Sequence, residues 1–273
     1  MSPPSTARRR RTVRRCRWAP SPAERRWPHV FGDEFLARQR LLVITPHADD
    51  ETYGCAGSIA RIKSLGGEVF VVLVSAGDLE HFGDDGQGHN RKLVSHSTRL
   101  NEFDSVMRRL KVDDWDVLFT DEQTHLALDT VPRKELVRLL ESDGRLAIDQ
   151  IRPTMMMIPA VSYNQDHEAL YRACVTATRP GVPGQRHLVP FVLAYDNTSL
   201  FWSFGDDRFH PNWYIDISDF LATKIEAMRL HESQVRPPIY HGSPESLELA
   251  TRVRGREVSV EAAEGFVVLR SLI

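Results

Sequence analysis

The chain has 273 residues, 41% hydrophobic and 26% charged, with a formal net charge of −2 at pH 7, enough material to bury a full core in one large α/β domain. No uncharged apolar run approaches the length that spans a bilayer, which argues against a membrane-spanning helix. Three widely spaced cysteines, Cys16, Cys55 and Cys174, argue against a disulfide framework and a Cys-rich zinc site, and fit a reducing cytoplasm.

The near-neutral total hides an asymmetry. Residues 1–30 hold nine arginines and one glutamate, +8 of formal charge, which leaves −10 for the rest. This head carries Arg8-Arg9-Arg10-Arg11 and Arg14-Arg15 without apolar periodicity, so residues 1–34 are expected to be a disordered extension. Its twin arginines lack the apolar run an export signal requires. A basic arm can bind nucleic acid or anionic surfaces. The function is nevertheless expected in residues 35–273, with no nucleic-acid partner, and the sequence leaves monomer and homo-oligomer both open.

From about residue 35 strand and helix alternate. Leu41 to Thr45 reads as a buried strand, 52–65 as a helix closed by Gly66-Gly67, and Val69 to Val74 as a parallel strand, together a βαβ unit. Gly54 and Gly57 permit close backbone approach but lack the spacing of a dinucleotide fingerprint. There follow a helix over 93–110, strand 116–119, helix 132–141, strand 154–158, helix 166–178 and strand 191–195. After a polar-aromatic segment come a strand over 214–217 and a helix from Ser218 to Gln234. The order predicts a single Rossmann-like α/β domain, its mostly parallel sheet covered by helices on both faces.

The chemistry concentrates directly after the first strand, in Pro46-His47-Ala48-Asp49-Asp50-Glu51. The carboxyl ends of strands in open α/β sheets form the crevice where ligands sit. His47 and Asp50, three apart in a turn entering a helix, come to one side as a nitrogen and an oxygen ligand for a metal. Asp49 and Glu51 remain as candidates to take the proton from an activated water. The strand Met155-Met156-Met157-Ile158 ends in Pro159 to Asp166, and His167 sits in the first turn of the next helix, at the same sheet edge. It is the predicted third ligand, leaving open positions for water and substrate. Asp166 is suited both to bonding the other nitrogen of a nearby histidine and to capping the helix. The other nine histidines, among them His81, His89 and His96 in or beside a glycine-rich loop, show no such partnered context.

These motifs, with Gly54, Gly57 and a Val-rich strand ending Ser75-Ala76-Gly77-Asp78, resemble the signature of the PIG-L/LmbE-like deacetylases, which include N-acetylglucosaminyl-phosphatidylinositol de-N-acetylase. The resemblance extends through Arg99-x-x-Glu102, the Asp166-His167 segment and a late Lys224…His231-x-Ser233-Gln234 pattern, over roughly residues 40–235. It implies His47, Asp50 and His167 as zinc ligands, Asp49 as general base and Arg99 near the substrate. One departure stands out. Many members carry His-Pro-Asp-His where this chain has Asn164-Gln165-Asp166-His167, and the missing histidine helps stabilise the oxyanion. Either Asn164 and Tyr163 provide neutral donors to the oxyanion or another group fills the role, and Tyr163 is also an expected substrate contact.

The expected activity is metal-dependent hydrolysis of an N-acylated amino sugar or glycoconjugate, with Asp49, Asn164 and Asp166 as the catalytic set. Zinc is the default for two histidines and an aspartate with open positions, and Fe2+ suits the same ligands. The rival reading is a non-catalytic nucleic-acid or anion binder using the arginine arm.

Overall fold

The structure is a computed structural model that describes residues 32–82, 91–182, 184–197, 209–238 and 240–272. The arginine head up to residue 31, His89, and the aromatics Phe201, Trp202 and Phe204 lie outside the described residues. A short helix α1 (Asp33–Ala37) precedes strand β1 (Arg40–Thr45), helix α2 (Asp50–Ser64) and strand β2 (Glu68–Ser75). An antiparallel pair, β3 (Leu79–Phe82) and β4 (Arg91–Val94), leads into α3 (His96–Arg109) and β5 (Asp114–Phe119). Next come α4 (Arg133–Arg138), which runs into a wider π turn (Leu139–Asp143), then α5 (Ile148–Ile151), β6 (Met155–Pro159), α6 (Gln165–Ala177) and β7 (Phe191–Tyr195). The chain closes with β8 (Trp213–Asp216), α7 (Leu221–Leu230), α8 (Pro244–Glu257) and β9 (Ala263–Ser271).

Seven strands form one sheet in the order β5-β2-β1-β6-β7-β9-β8. The first five of these are parallel neighbours, whereas β9 runs antiparallel between β7 and β8. Side chains alternate across each strand, so the continuous apolar runs feed two cores. Leu41, Val43, Val69 and Val71 pack with Ile59 and Ile62 of α2, Phe103 and Met107 of α3, Met228 of α7 and Leu247 of α8. Leu42, Ile44, Phe70 and Val72 pack on the other face with Leu136 of α4, Ile148 of α5, and Leu170 and Cys174 of α6. Helices thus cover both faces, as the alternation predicts. Cys55 and Cys174 are buried and unpaired. Among the described residues no helix is long and apolar enough to cross a membrane.

The chain leaves β1 for β2 and β5 on one side, then returns to place β6 on β1's other side. The carboxyl ends of β1 and β6 therefore flank the point where the winding reverses, the crevice in which doubly wound sheets hold ligands. Gly54 is needed there, because a Cβ at that position would overlap the ring of the fully buried Tyr195.

Several boundaries differ from the sequence reading for physical reasons. The third helix begins at His96 rather than 93, since the Ser95 hydroxyl oxygen accepts the Thr98 N–H at 3.2 Å and Leu93 and Val94 belong to β4. The helix expected to reach Gln234 stops at Leu230. There the His231 side chain is drawn to Glu51 of α2, and the Ser233 N–H and hydroxyl to Glu102 of α3. Helix α8 and strand β9 have no counterpart in the sequence reading. Glu264 of β9 accepts the Gly57 and Ser58 N–H groups at 2.9 and 2.8 Å and the Lys224 ammonium at 2.6 Å, a buried knot that ties β9 and α7 to α2.

Candidate active site

The loop after β1 is held before any ligand is considered. Tyr195 donates its hydroxyl to Ile44 O at 2.9 Å, Thr45 donates its hydroxyl to His47 O at 2.8 Å, and Ser75 N–H reaches Pro46 O at 3.0 Å. Within it Asp49 has φ 130° and ψ −28°, a left-handed-side conformation that costs a non-glycine residue of order 1–3 kcal/mol. Such strain persists only where surrounding bonds over-determine it. The Asp49 N–H donates to Glu51 Oε2 at 3.1 Å, while Asp49 O accepts from Thr52 and Tyr53 N–H at 2.9 and 3.0 Å.

His47, Asp50 and His167 each offer one ligand atom to a common point, all within 4.8 Å of one another. Asp50 Oδ2 lies 3.2 Å from His47 Nδ1 and 3.3 Å from His167 Nε2, and all three residues are buried. Asp50 Oδ1 accepts from the Asn197 amide at 2.5 Å. His47 Nε2 donates to Asp166 Oδ2 at 2.9 Å, and Asp166 Oδ1 accepts the Leu128 N–H at 2.9 Å. A carboxylate on Nε2 fixes the tautomer and leaves the Nδ1 lone pair free, the arrangement found behind metal-ligating histidines. The electrostatics ask for a cation at the same place. Burial alone would lower His47, yet hydrogen bonds to Asp166 and Asp50 outweigh it and raise it to about 9. Burial would likewise raise Asp50, but the charges and hydrogen bonds of His167 and His47 hold it far below the usual carboxylate range. Two imidazole nitrogens and one carboxylate oxygen, buried and pre-oriented, fit a divalent transition metal.

Asp49, beside the ligands and only half buried, is raised to about 7 by its burial and then by the Asp50 charge, with His231 and Arg99 pulling the other way. A carboxyl poised near neutrality suits proton transfer. Glu51, the other candidate base, is fully buried with both oxygens engaged: Oε2 by Asp49 N–H, Oε1 by His231 Nε2 at 2.8 Å and by the Thr52 hydroxyl at 3.0 Å. Of the two candidate carboxyls, Asp49 is thus the one that is not fully buried.

Arg99 is buried beneath the loop rather than spread on a surface. Its Nη1 donates to His125 Nε2 at 2.7 Å and its Nη2 reaches Ala48 O at 3.4 Å, while its Nε finds no partner among the described residues. Because a guanidinium only donates, His125 carries its proton on Nδ1 and passes it towards Ser75 Oγ at 3.2 Å. Burial, then the charges of Arg99 and His47, hold His125 at about 3, so it is a neutral imidazole set edge-on to His47 at 5.5 Å between centroids. Gly77 makes room for it, since a Cβ there would come within 2.5 Å of the His125 Cβ. His125 and His231 are partnered, buried site residues, which corrects the expectation that the remaining histidines lack such context. His96 also has a partner, Asp78, at 3.1 Å, although it is exposed.

At the start of α6, Asn164 and not Asp166 is the cap: its Oδ1 accepts the Asp166 N–H at 2.9 Å. Asp166 spends both oxygens orienting His47 and the Leu128 backbone. Tyr163, 47% exposed, stands at the same helix end. The Asn164 carbonyl is therefore structural, and only its amide nitrogen is left to donate to an oxyanion. Two variants separate the roles. Asn164→Asp keeps the cap and should hold the melting temperature, but should cost about 2.7–4 kcal/mol of transition-state stabilisation if the amide is an oxyanion donor. Asn164→Ala should add a stability loss of about 1 kcal/mol from the lost cap. Turnover unchanged in Asn164→Asp would remove the side chain from the chemistry.

A buried three-ligand cluster at the switch point of a doubly wound sheet, with a near-neutral carboxyl beside it, is the architecture of a metal-assisted hydrolase. Comparison with known proteins narrows this: residues 42–178, half of the chain, match the PIG-L family, described as GlcNAc-PI de-N-acetylase. The chain belongs to the PIG-L family, and within it is an enzyme of the N-deacetylase class. It is 26% identical over 212 residues to the diacetylchitobiose deacetylase of Thermococcus kodakarensis, with 75% of this chain and 73% of the relative covered. In structure it resembles the A40926 pseudoaglycone deacetylase, with a TM-score of 0.61, 19% identity, and 86% and 99% of the two chains covered. It also resembles the 4-carboxy-2-hydroxymuconate hydratase of Pseudomonas putida KT2440, with a TM-score of 0.55, 19% identity, and 85% and 97% covered.

Proposed function

We propose that the protein removes the acetyl group from the amine nitrogen of an N-acetylated amino sugar or of a sugar-bearing conjugate. The observation that carries this reading is the pairing of His47, Asp50 and His167, with Asp166 behind His47, and the accessible carboxyl of Asp49 alongside. The residues that would hold the metal are His47 through Nδ1, Asp50 through Oδ2 and His167 through Nε2, with zinc favoured by that donor set and Fe2+ the alternative. When bound, such an ion supplies Lewis acidity towards an acyl carbonyl and towards water. Asp49 accepts the proton of the attacking water and returns it to the amine nitrogen as the C–N bond breaks, giving acetate and free amine. Arg99, the nearby buried cation, offsets negative charge around Asp49. The substrate class draws support from the relatives named above.

The test is acetate and amine release by the metal-loaded protein across a panel of N-acetylated sugars and sugar conjugates, abolished by a chelator. Because a hydratase shares the fold, the products must be acetate and amine. A panel-wide absence of both from protein with its metal in place would overturn the reading.

The same proposal makes residues 1–30 dispensable, since every residue assigned a role lies beyond them. A chain beginning near Val30 should melt and turn over like the full-length protein. Loss of folding in that variant would overturn this expectation.

A further inference from the structure

Two further motifs of the sequence, Arg99-x-x-Glu102 and His231-x-Ser233, converge on one place in the structure. Ser233 donates its N–H and its hydroxyl to Glu102 at 2.7 and 2.6 Å, which clamps the turn after α7 to α3. That clamp fixes His231, fully buried, whose Nε2 donates to Glu51 Oε1 at 2.8 Å. Its other nitrogen, Nδ1, has no partner among the described residues. An imidazole buried against a carboxylate, with one of its ring nitrogens unsatisfied, is a costly arrangement for packing alone.

Glu51 connects it to the chemistry. Its second oxygen, Oε2, accepts the N–H of Asp49 at 3.1 Å. Asp49 is the residue with φ 130°, a conformation that has to be enforced by its surroundings. A free Glu51 side chain would have several rotamers to choose from. With Oε1 pinned by His231 and by the Thr52 hydroxyl, Oε2 is left under Asp49.

We propose that His231 is a positioning residue of the active site: by pinning Glu51 it holds the strained Asp49 backbone in the one conformation that presents the Asp49 carboxyl for proton transfer. The inference rests on Asp49 being the base of the proposed deacetylation. His231 hydrogen-bonds to Glu51, which is not one of the three clustered ligand residues. It acts through a relay of two hydrogen bonds, and a small misplacement of a reacting group is enough to lose much of the rate.

Three variants of the full-length, metal-loaded protein test it. His231→Phe keeps a ring of similar size and removes the donor, whereas His231→Gln restores an N–H within reach of Glu51. Two readouts are taken: kcat and KM on the best substrate of the panel, and hydrogen exchange at the Asp49 amide, which needs no substrate. His231→Phe should exchange at Asp49 about tenfold faster or more, and lose about tenfold or more in kcat with KM nearly unchanged and metal content intact. His231→Gln should recover both. Unchanged Asp49 protection in His231→Phe overturns the proposal, as does a raised KM with kcat intact, which would make His231 part of substrate binding. Should His231→Phe not fold, Glu51→Met, which keeps the length of the side chain and removes both acceptor oxygens, carries the test: lost Asp49 protection supports the relay and wild-type protection overturns it. A wild-type protein that releases no acetate would remove the deacetylase reading while the exchange result still decides the relay.

Discussion

Asp49→Asn is expected to keep the fold and the metal and to lose turnover by about 10²-fold or more, because an amide holds the same space but cannot accept the proton of the attacking water. The backbone should not object. Asparagine is among the non-glycine residues that best tolerate positive φ, and the N–H that Glu51 Oε2 holds is still present. Metal content should also be unaffected, since Asp49 contributes no atom to the His47, Asp50 and His167 cluster. Binding and chemistry would then separate in one variant, read as metal per chain against kcat. Near-normal turnover would require another base. Glu51 is a poor replacement, being fully buried with both oxygens already accepting hydrogen bonds, so that result would point to a group brought by the substrate or by another segment.

What the sequence makes legible is local. The run Leu41 to Thr45 followed by a polar cluster marks a strand end that carries ligands, and the run Met155 to Ile158 followed by Asp166-His167 repeats the pattern. Strand alternation puts both ends at one edge of the sheet, and the pairing of β1 with β6, in the register Leu41↔Met155 and Val43↔Met157, sets them side by side. The rest depends on contacts that leave no local trace. His231 and Glu51 are 180 residues apart, Asp50 and Asn197 147, and Ser58 and Glu264 206. A lone histidine at the end of a helix-like pattern reads as exposed until its partner is known. The same holds for His125, whose neighbours Arg99 and Ser75 come from α3 and β2. Strand β9 escaped because an antiparallel insertion between β7 and β8 breaks the alternation of strand and helix on which the topology was read. Helix α7 ends early because side-chain capture by Glu51 and Glu102 outweighs the propensity of four more residues.

Removing any one of His47, Asp50 or His167 as alanine should abolish stable metal binding, which in the wild-type protein should reach about one divalent ion per chain, because a single three-residue cluster is found among the described residues. Asp166→Asn is the more discriminating variant. In the wild-type protein Asp166 Oδ2 accepts from His47 Nε2 and Oδ1 from Leu128 N–H, so an amide must satisfy two donors with one oxygen. If its oxygen stays on Leu128, its amino group faces His47 Nε2, which must then accept. The proton moves to Nδ1, the atom that would meet the metal. Metal affinity should fall about 10- to 100-fold while the three ligands and the melting temperature stay in place. Equilibrium dialysis of the four variants against buffered zinc distinguishes the cases: no binding for the alanine variants, weakened binding for Asp166→Asn. Full occupancy in His167→Ala would mean that α6 supplies no ligand, and unchanged affinity in Asp166→Asn would mean that the His47 tautomer is set by something other than the carboxylate behind it.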